Sequence, residues 1–122
     1  MSYRTGDVVL ANLINGIENR RSVGKTRPVI LIDEVNGHWN ALGLTTKSHY
    51  LDGTTRVAIP TPVEIGLNGP GFFWGTRLTR ISKIDVLQHL GQINAETTRA
   101  ITRHTHLSLK QVALLGKSVG VR

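Results

Sequence analysis

The chain has 122 residues and no cysteine, and it sets 15 lysines and arginines against 8 acidic residues, a net charge of +7. That length makes one domain able to bury a core unaided, while the missing cysteines exclude a disulfide framework, a thiolate zinc site and a cysteine nucleophile. The positive excess, with a pI near 10.6, points to a polyanionic partner: nucleic acid or an acidic protein segment.

In chain order, Gly6-Asp7 reads as a turn and the run to Leu13 as a strand with little polar interruption. Residues 14–26 mix glycine, asparagine and basic residues without a period, the pattern of a loop. A basic stretch (Arg20, Arg21, Lys25, Arg27) then meets Pro28 and the β-branched and aliphatic run from Val29 to Asp33, which reads as a buried strand. Pro28 suits the first position of that strand and leaves Arg27 as the last residue of the loop. A guanidinium held there suits a phosphate, since its planar fork donates two parallel hydrogen bonds and stays charged.

Asn36-Gly37 is a hairpin signal, so the strand from His38 to Leu44 runs antiparallel to the one before it. Thr45 to Tyr50 is polar and rich in hydroxyls. Asp52-Gly53 marks a further turn, and Thr54 to Ile59 a strand closed by Pro60 and Pro62. Glycines and Pro70 punctuate residues 66–71; Phe72 to Ile81 then alternates in part, with Arg77 and Arg80 on it. Short strands with this punctuation predict a small barrel.

Ser82 to Leu87 is expected as a short helical turn capped by Ser82, and His89 to Ile93 as a last short strand. Asn94 caps a helix from Ala95 to His104, with Glu96 near its positive end. Ser108-Leu109-Lys110-Gln111 forms a capping box for a second helix ending at Gly116; one continuous helix through residue 112 is the alternative. The expected division is a barrel over about 5–93 and a helical segment over about 94–116, within a single domain. No apolar run approaches a membrane span and the N-terminus lacks a signal-peptide core, so a cytoplasmic protein with no membrane partner is expected.

No metal or cofactor is expected. His104 and His106 cannot share a helix face, no carboxylate stands beside them, and phosphate-binding glycine motifs and nucleophile elbows are absent from the sequence. What remains is a set of cations and hydroxyls at strand ends: Arg27, Thr45, Thr46, Lys47, Ser48 and His49. Pairing about Asn36-Gly37 brings the guanidinium and the threonine hydroxyls to one end of the sheet. Fixed donors so placed can stabilise a phosphate that gains negative charge. Arginine itself is no base there.

The order of these motifs resembles the PemK/MazF family of toxin endoribonucleases. Gly6 to Leu13 is similar to the family's opening strand, Lys25 to Leu31 to its Arg-Pro strand, Leu44 to Ser48 to its threonine-bearing strand end, and His89 to Ile93 to the strand before its C-terminal helix. The resemblance implies a small SH3-like barrel of the CcdB/PemK type with a C-terminal helix, usually dimeric. It implies metal-independent cleavage of single-stranded RNA by attack of the 2′-hydroxyl on the adjacent phosphate, and a cognate acidic antitoxin.

By position the resemblance gives the chemistry to Arg27 and to Thr46, with Thr45 as the alternative, and offers Glu18 either as a loop carboxylate serving the reaction or as a solvated glutamate. Arg20, Arg21, Lys25, Lys47, Ser48, His49, Arg77 and Arg80 are the expected RNA contacts. Trp74 is read two ways, as a base-stacking platform or as core. Thr76-Arg77 stands where the family often has Asp-Gln. Two alternatives stay open: a barrel that holds single-stranded nucleic acid without cutting it, and a CcdB-like toxin acting on DNA gyrase.

Overall fold

The computed structural model describes residues 2–13, 26–48, 56–73 and 78–119. Among the described residues, seven strands run in the order β1 (Asp7–Asn12), β2 (Thr26–Val35), β3 (His38–Thr45), β4 (Val57–Ala58), β5 (Phe72–Phe73), β6 (Thr79–Ser82) and β7 (Val86–Gln92). Two helices follow, α1 (Ala95–His104) and α2 (Leu109–Ser118). Every pairing is antiparallel. β3 is shared: its first half pairs with β6 and its last residues, Leu44 and Thr45, with β5, which in turn pairs with β4.

The run β6-β3-β2-β1-β7 curls into a small barrel. Successive residues of a strand point to opposite faces, and both faces here are apolar. On the inner face Val9, Ala11, Val29, Leu31, Trp39, Ala41 and Ile81 form one cluster, with Val86 packed against it. Ile81 lies on β6 and Val86 on β7, so the two ends of the run meet. The single turn Lys83–Asp85 joins them, with the Ser82 side chain accepting from the Ile84 N–H. On the outer face Val8, Ile30, Ile32, Leu42 and Leu44 pack against Phe73, Ile65, Ile101 of α1 and Leu115 of α2. This is the mainly β barrel that the sequence predicts.

The hairpin tip follows from its two residues. Asn36 (φ 52°) and Gly37 (φ 83°) both take positive φ, the conformation of a type I′ turn, whose twist matches that of its flanking strands. β7 packs its backbone directly on the turn Val63–Ile65: a side chain at Gly91 would run into the Ile65 carbonyl, and one at Gly66 into that of Leu90.

The helices start where their caps lie. The Asn94 carboxamide oxygen accepts from the Thr97 N–H at 3.0 Å, and its amide donates to Thr61 Oγ1 at 2.8 Å. Ser108 and Gln111 form the reciprocal capping box, which begins a new helix, and Thr105 is extended; the continuous alternative is therefore not adopted. α2 runs past Gly116 to Ser118, where the Ser118 hydroxyl donates to the Leu115 carbonyl at 2.8 Å. Gln111 also donates through Nε2 to Asp33 Oδ1 at 3.1 Å, and Asn40 donates to the same oxygen at 2.9 Å. One buried carboxylate thus ties the α2 cap to the β2–β3 hairpin.

Three strands differ from the sequence reading. β2 starts at Thr26, because Asn12 and Thr26 pair at the end of β1. Only Val57 and Ala58 of the strand expected over Thr54 to Ile59 lie in a ladder, and residues 54–55 fall outside the described residues. β7 begins at Val86 rather than His89, the helical turn being confined to Lys83–Asp85 and Val86 being drawn into the inner cluster.

Candidate functional site

Arg27 is the second residue of β2 and faces Ala11 across the β1–β2 ladder. It is therefore a strand residue, where the sequence alone puts it at a loop end. Pro28 sits third in the strand, opposite Leu10, and the ladder to β3 begins only at Val29. Such a one-sided setting tolerates a residue without an N–H. Arg27 shares its face with Val29 and Leu31, so its half-buried side chain stands over the open end of the inner cluster.

The partner of Arg27 across the hairpin depends on a single residue. Near the tip the pairs are Glu34↔Trp39 and Asp33↔Asn40; beyond it they are Leu31↔Ala41, Ile30↔Leu42 and Val29↔Gly43. Ile32 is the extra residue of a bulge, and it moves the register by one. Counted from the turn without the bulge, Arg27 would oppose Thr46. With it, the register extended from Val29↔Gly43 sets Arg27 against Thr45, on the same face as Gly43 and Ala41.

Thr45 is half-buried and ends β3, and its Oγ1 accepts from the Lys47 N–H at 3.3 Å. That bond uses the hydroxyl oxygen as acceptor and leaves its proton for another partner. Thr46 is exposed, just past the strand. Lys47 and Ser48 continue the segment, and Arg56 holds it from the side. The Arg56 guanidinium donates to the Lys47 carbonyl, and its backbone N–H to the Ser48 carbonyl, both at 2.9 Å.

Arg56 was missed by the sequence reading. Its place shows only in the hydrogen bonds that tie it to Lys47 and Ser48.

Arg80 goes elsewhere. It pairs with Asn40 on β3, about 17 Å along the strand from Thr45 at the usual rise per residue. Glu18, Arg20, Arg21, Lys25, His49, Trp74, Thr76 and Arg77 lie outside the described residues. The described site is therefore Arg27, Thr45, Thr46, Lys47 and Ser48, with Arg56 added. It offers two guanidiniums, an ammonium and three hydroxyls at the end of the hairpin remote from its turn.

No protein-family model matches the sequence, and no curated protein does either. Solved structures do match the fold. The Mycobacterium tuberculosis toxin MazF-mt6 superposes with a TM-score of 0.58 at 16% identity, over 95% of this chain and 98% of that one. An endoribonuclease in complex with its cognate antitoxin, from a mycobacterial species, gives 0.55 at 14% identity, over 99% and 98%. The chain has the fold of MazF-type toxins from end to end. Among the described residues no helix is long and apolar enough to cross a membrane.

Proposed function

We propose that the chain is a toxin endoribonuclease that cleaves single-stranded RNA without a metal ion. The observation that carries the reading is the bulged register of β2 and β3, whose last pair is Val29↔Gly43; continued two residues further, that register brings Arg27 opposite Thr45. The likeness in fold to MazF-mt6 and to the mycobacterial endoribonuclease supports it.

In the reaction the 2′-oxygen attacks the adjacent phosphorus and the bond to the 5′-oxygen breaks. The products are a 2′,3′-cyclic phosphate and a 5′-hydroxyl. The 2′-proton passes to a base and the leaving 5′-oxygen takes up a proton. The Arg27 fork stabilises the charge that grows on the non-bridging oxygens. Thr45 donates its hydroxyl to the same phosphate, with Thr46 one residue on as the other candidate. Glu18 is the loop carboxylate proposed to take the 2′-proton, while Lys47, Ser48 and Arg56 hold the neighbouring backbone.

The +7 charge suits both RNA and an acidic antitoxin that would fold over the same surface; the second structural neighbour is itself held by its antitoxin. A homodimer acting on mRNA in the cytoplasm completes the proposal. The test is incubation of a long single-stranded RNA with the protein in EDTA, beside the Arg27→Ala variant. Discrete fragments ending in 2′,3′-cyclic phosphate, lost in the variant, are the expected result. The Thr76-Arg77 pair favours a second reading, in which the barrel binds single-stranded RNA without cutting it; salt-dependent binding with intact RNA after long incubation would select that reading.

A further inference from the structure

A groove of about 250 Å³ lies between β4 and α1, away from the strand end that carries Arg27. Val57, Ala58 and Pro60 form one wall, and Glu96, Arg99, Ala100, Arg103 and His104 the other. Arg99 and Arg103 are exposed, and neither has an ion-pair partner among the described residues, where the ion pairs are Lys83–Glu34 and His89–Asp7. They stand at i and i+4 on one face of α1, a like-charge pairing that weakens a helix unless an anion lies against it. Two guanidiniums face the groove against one carboxylate, Glu96, which sits in the first turn of the helix.

Strand pairing ties the groove wall to the candidate site. Thr45 pairs with Phe72, and Phe72 with Ala58, so Ala58 lies two strand spacings from Thr45, about 10 Å. Arg56, which grips Lys47, directly precedes Val57 of the groove wall. Lys47 and Arg56 thus stand by the start of β4, and Arg99 and Arg103 across the groove from that strand.

We propose that this groove is an extended backbone subsite, in which Arg99 and Arg103 hold phosphates of the RNA a few nucleotides from the one at Arg27. The proposal rests on the RNA reading above. Charge favours a polyanion, and the small apolar wall of Val57, Ala58 and Pro60 leaves room for sugar edges beneath the phosphates. The contacts carry no sequence information, because phosphates are alike at every position.

The test compares the parent protein with R99Q/R103Q, using R99K/R103K as the variant that keeps the charge. Binding of a long single-stranded RNA is titrated against salt in an Arg27→Ala background, so that cleavage does not intervene. Each phosphate contact contributes about 0.7 to the slope of log K against log salt for a single strand, so R99Q/R103Q should lower the slope by about 1.4. R99K/R103K should keep it. In cleavage, R99Q/R103Q should raise KM for the long RNA roughly tenfold and leave an RNA trimmed close to the cut site unaffected. An unchanged slope in R99Q/R103Q, with its unfolding temperature at the parent value, overturns the subsite and would leave the groove to an acidic protein partner. A lowered slope in a protein that cuts no RNA keeps the subsite and overturns only the nuclease reading.

Discussion

The two ends of the β2–β3 hairpin are built on opposite plans. At the closed end nearly every polar group is committed. Asn36 and Gly37 fix the turn, Lys83 pairs with Glu34, and Asp33 accepts from both Asn40 and Gln111. At the open end the ladder stops at Val29↔Gly43, β3 moves on to pair with β5, Arg27 is paired to β1 alone, and Thr46 and Lys47 run on past the end of β3. The closed end stores the geometry and the open end presents it. Between them the bulge at Ile32 shifts the β2–β3 register by one residue.

The largest way to break this comparison is at the open end. Arg27→Lys keeps the charge but loses the planar fork, and cleavage should fall by about 10²–10³, the scale seen when one charge-stabilising donor is removed. The unfolding temperature should stay near that of the parent, since Arg27 lies beyond the last β2–β3 pair. Retained cleavage by the lysine variant would show that charge alone suffices there.

Asp33→Ala strikes the closed end instead. It removes the acceptor shared by Asn40 and Gln111, and hydrogen bonds to a charged group contribute about 1.5–3 kcal/mol. Denaturant unfolding should show a loss of about 2 kcal/mol, with hydrogen exchange quickened in α2 and at the tip. Exchange quickened at the tip alone would mean that Gln111 does not dock the helix.

A third substitution sharpens the role of the bulge. Thr45→Val should slow cleavage by about tenfold, corresponding to about 1.4 kcal/mol for one lost donor, and Thr46→Val should do so less. The reverse ranking would mean that the RNA is reached from beyond the strand end, with the β2–β3 register immaterial to the chemistry.

Much of this arrangement was legible in the sequence. Asn36-Gly37 marks the turn by chemistry that few other dipeptides supply, and Asn94 and the Ser108/Gln111 box mark both helix starts. The resemblance and the hairpin symmetry also place Arg27 and the threonine pair at one sheet end. The bulge was not legible. Val29, Ile30, Leu31 and Ile32 are all buried, so no polar residue breaks the alternation to show that one of them is extra. The extension of β2 back to Thr26 was hidden for a related reason: proline reads as a strand start, and only the pairing with β1 shows that the strand is already under way. Arg56 escaped because its role lies in a guanidinium reaching a backbone carbonyl, a contact that no spacing rule announces.

The smallest expected effect is at the tip itself. Asn36 holds φ 52°, and a Cβ-bearing residue in the left-handed region costs about 1–2 kcal/mol, which asparagine relieves in part. Asn36→Ala should therefore destabilise the protein by about 1 kcal/mol and lower the unfolding midpoint by roughly 4 °C. Cleavage per folded molecule should not change. The register is also held below the turn, by the Asp33–Asn40 bond and by the Trp39–Ile81 pairing with β6, so a weakened turn has no free path to a slipped hairpin. A fall in cleavage beyond the folded fraction would mean that the turn alone sets the register. The division between an end that stores geometry and an end that uses it would then fail, because a change at Asn36 would reach Arg27 through the whole length of β2.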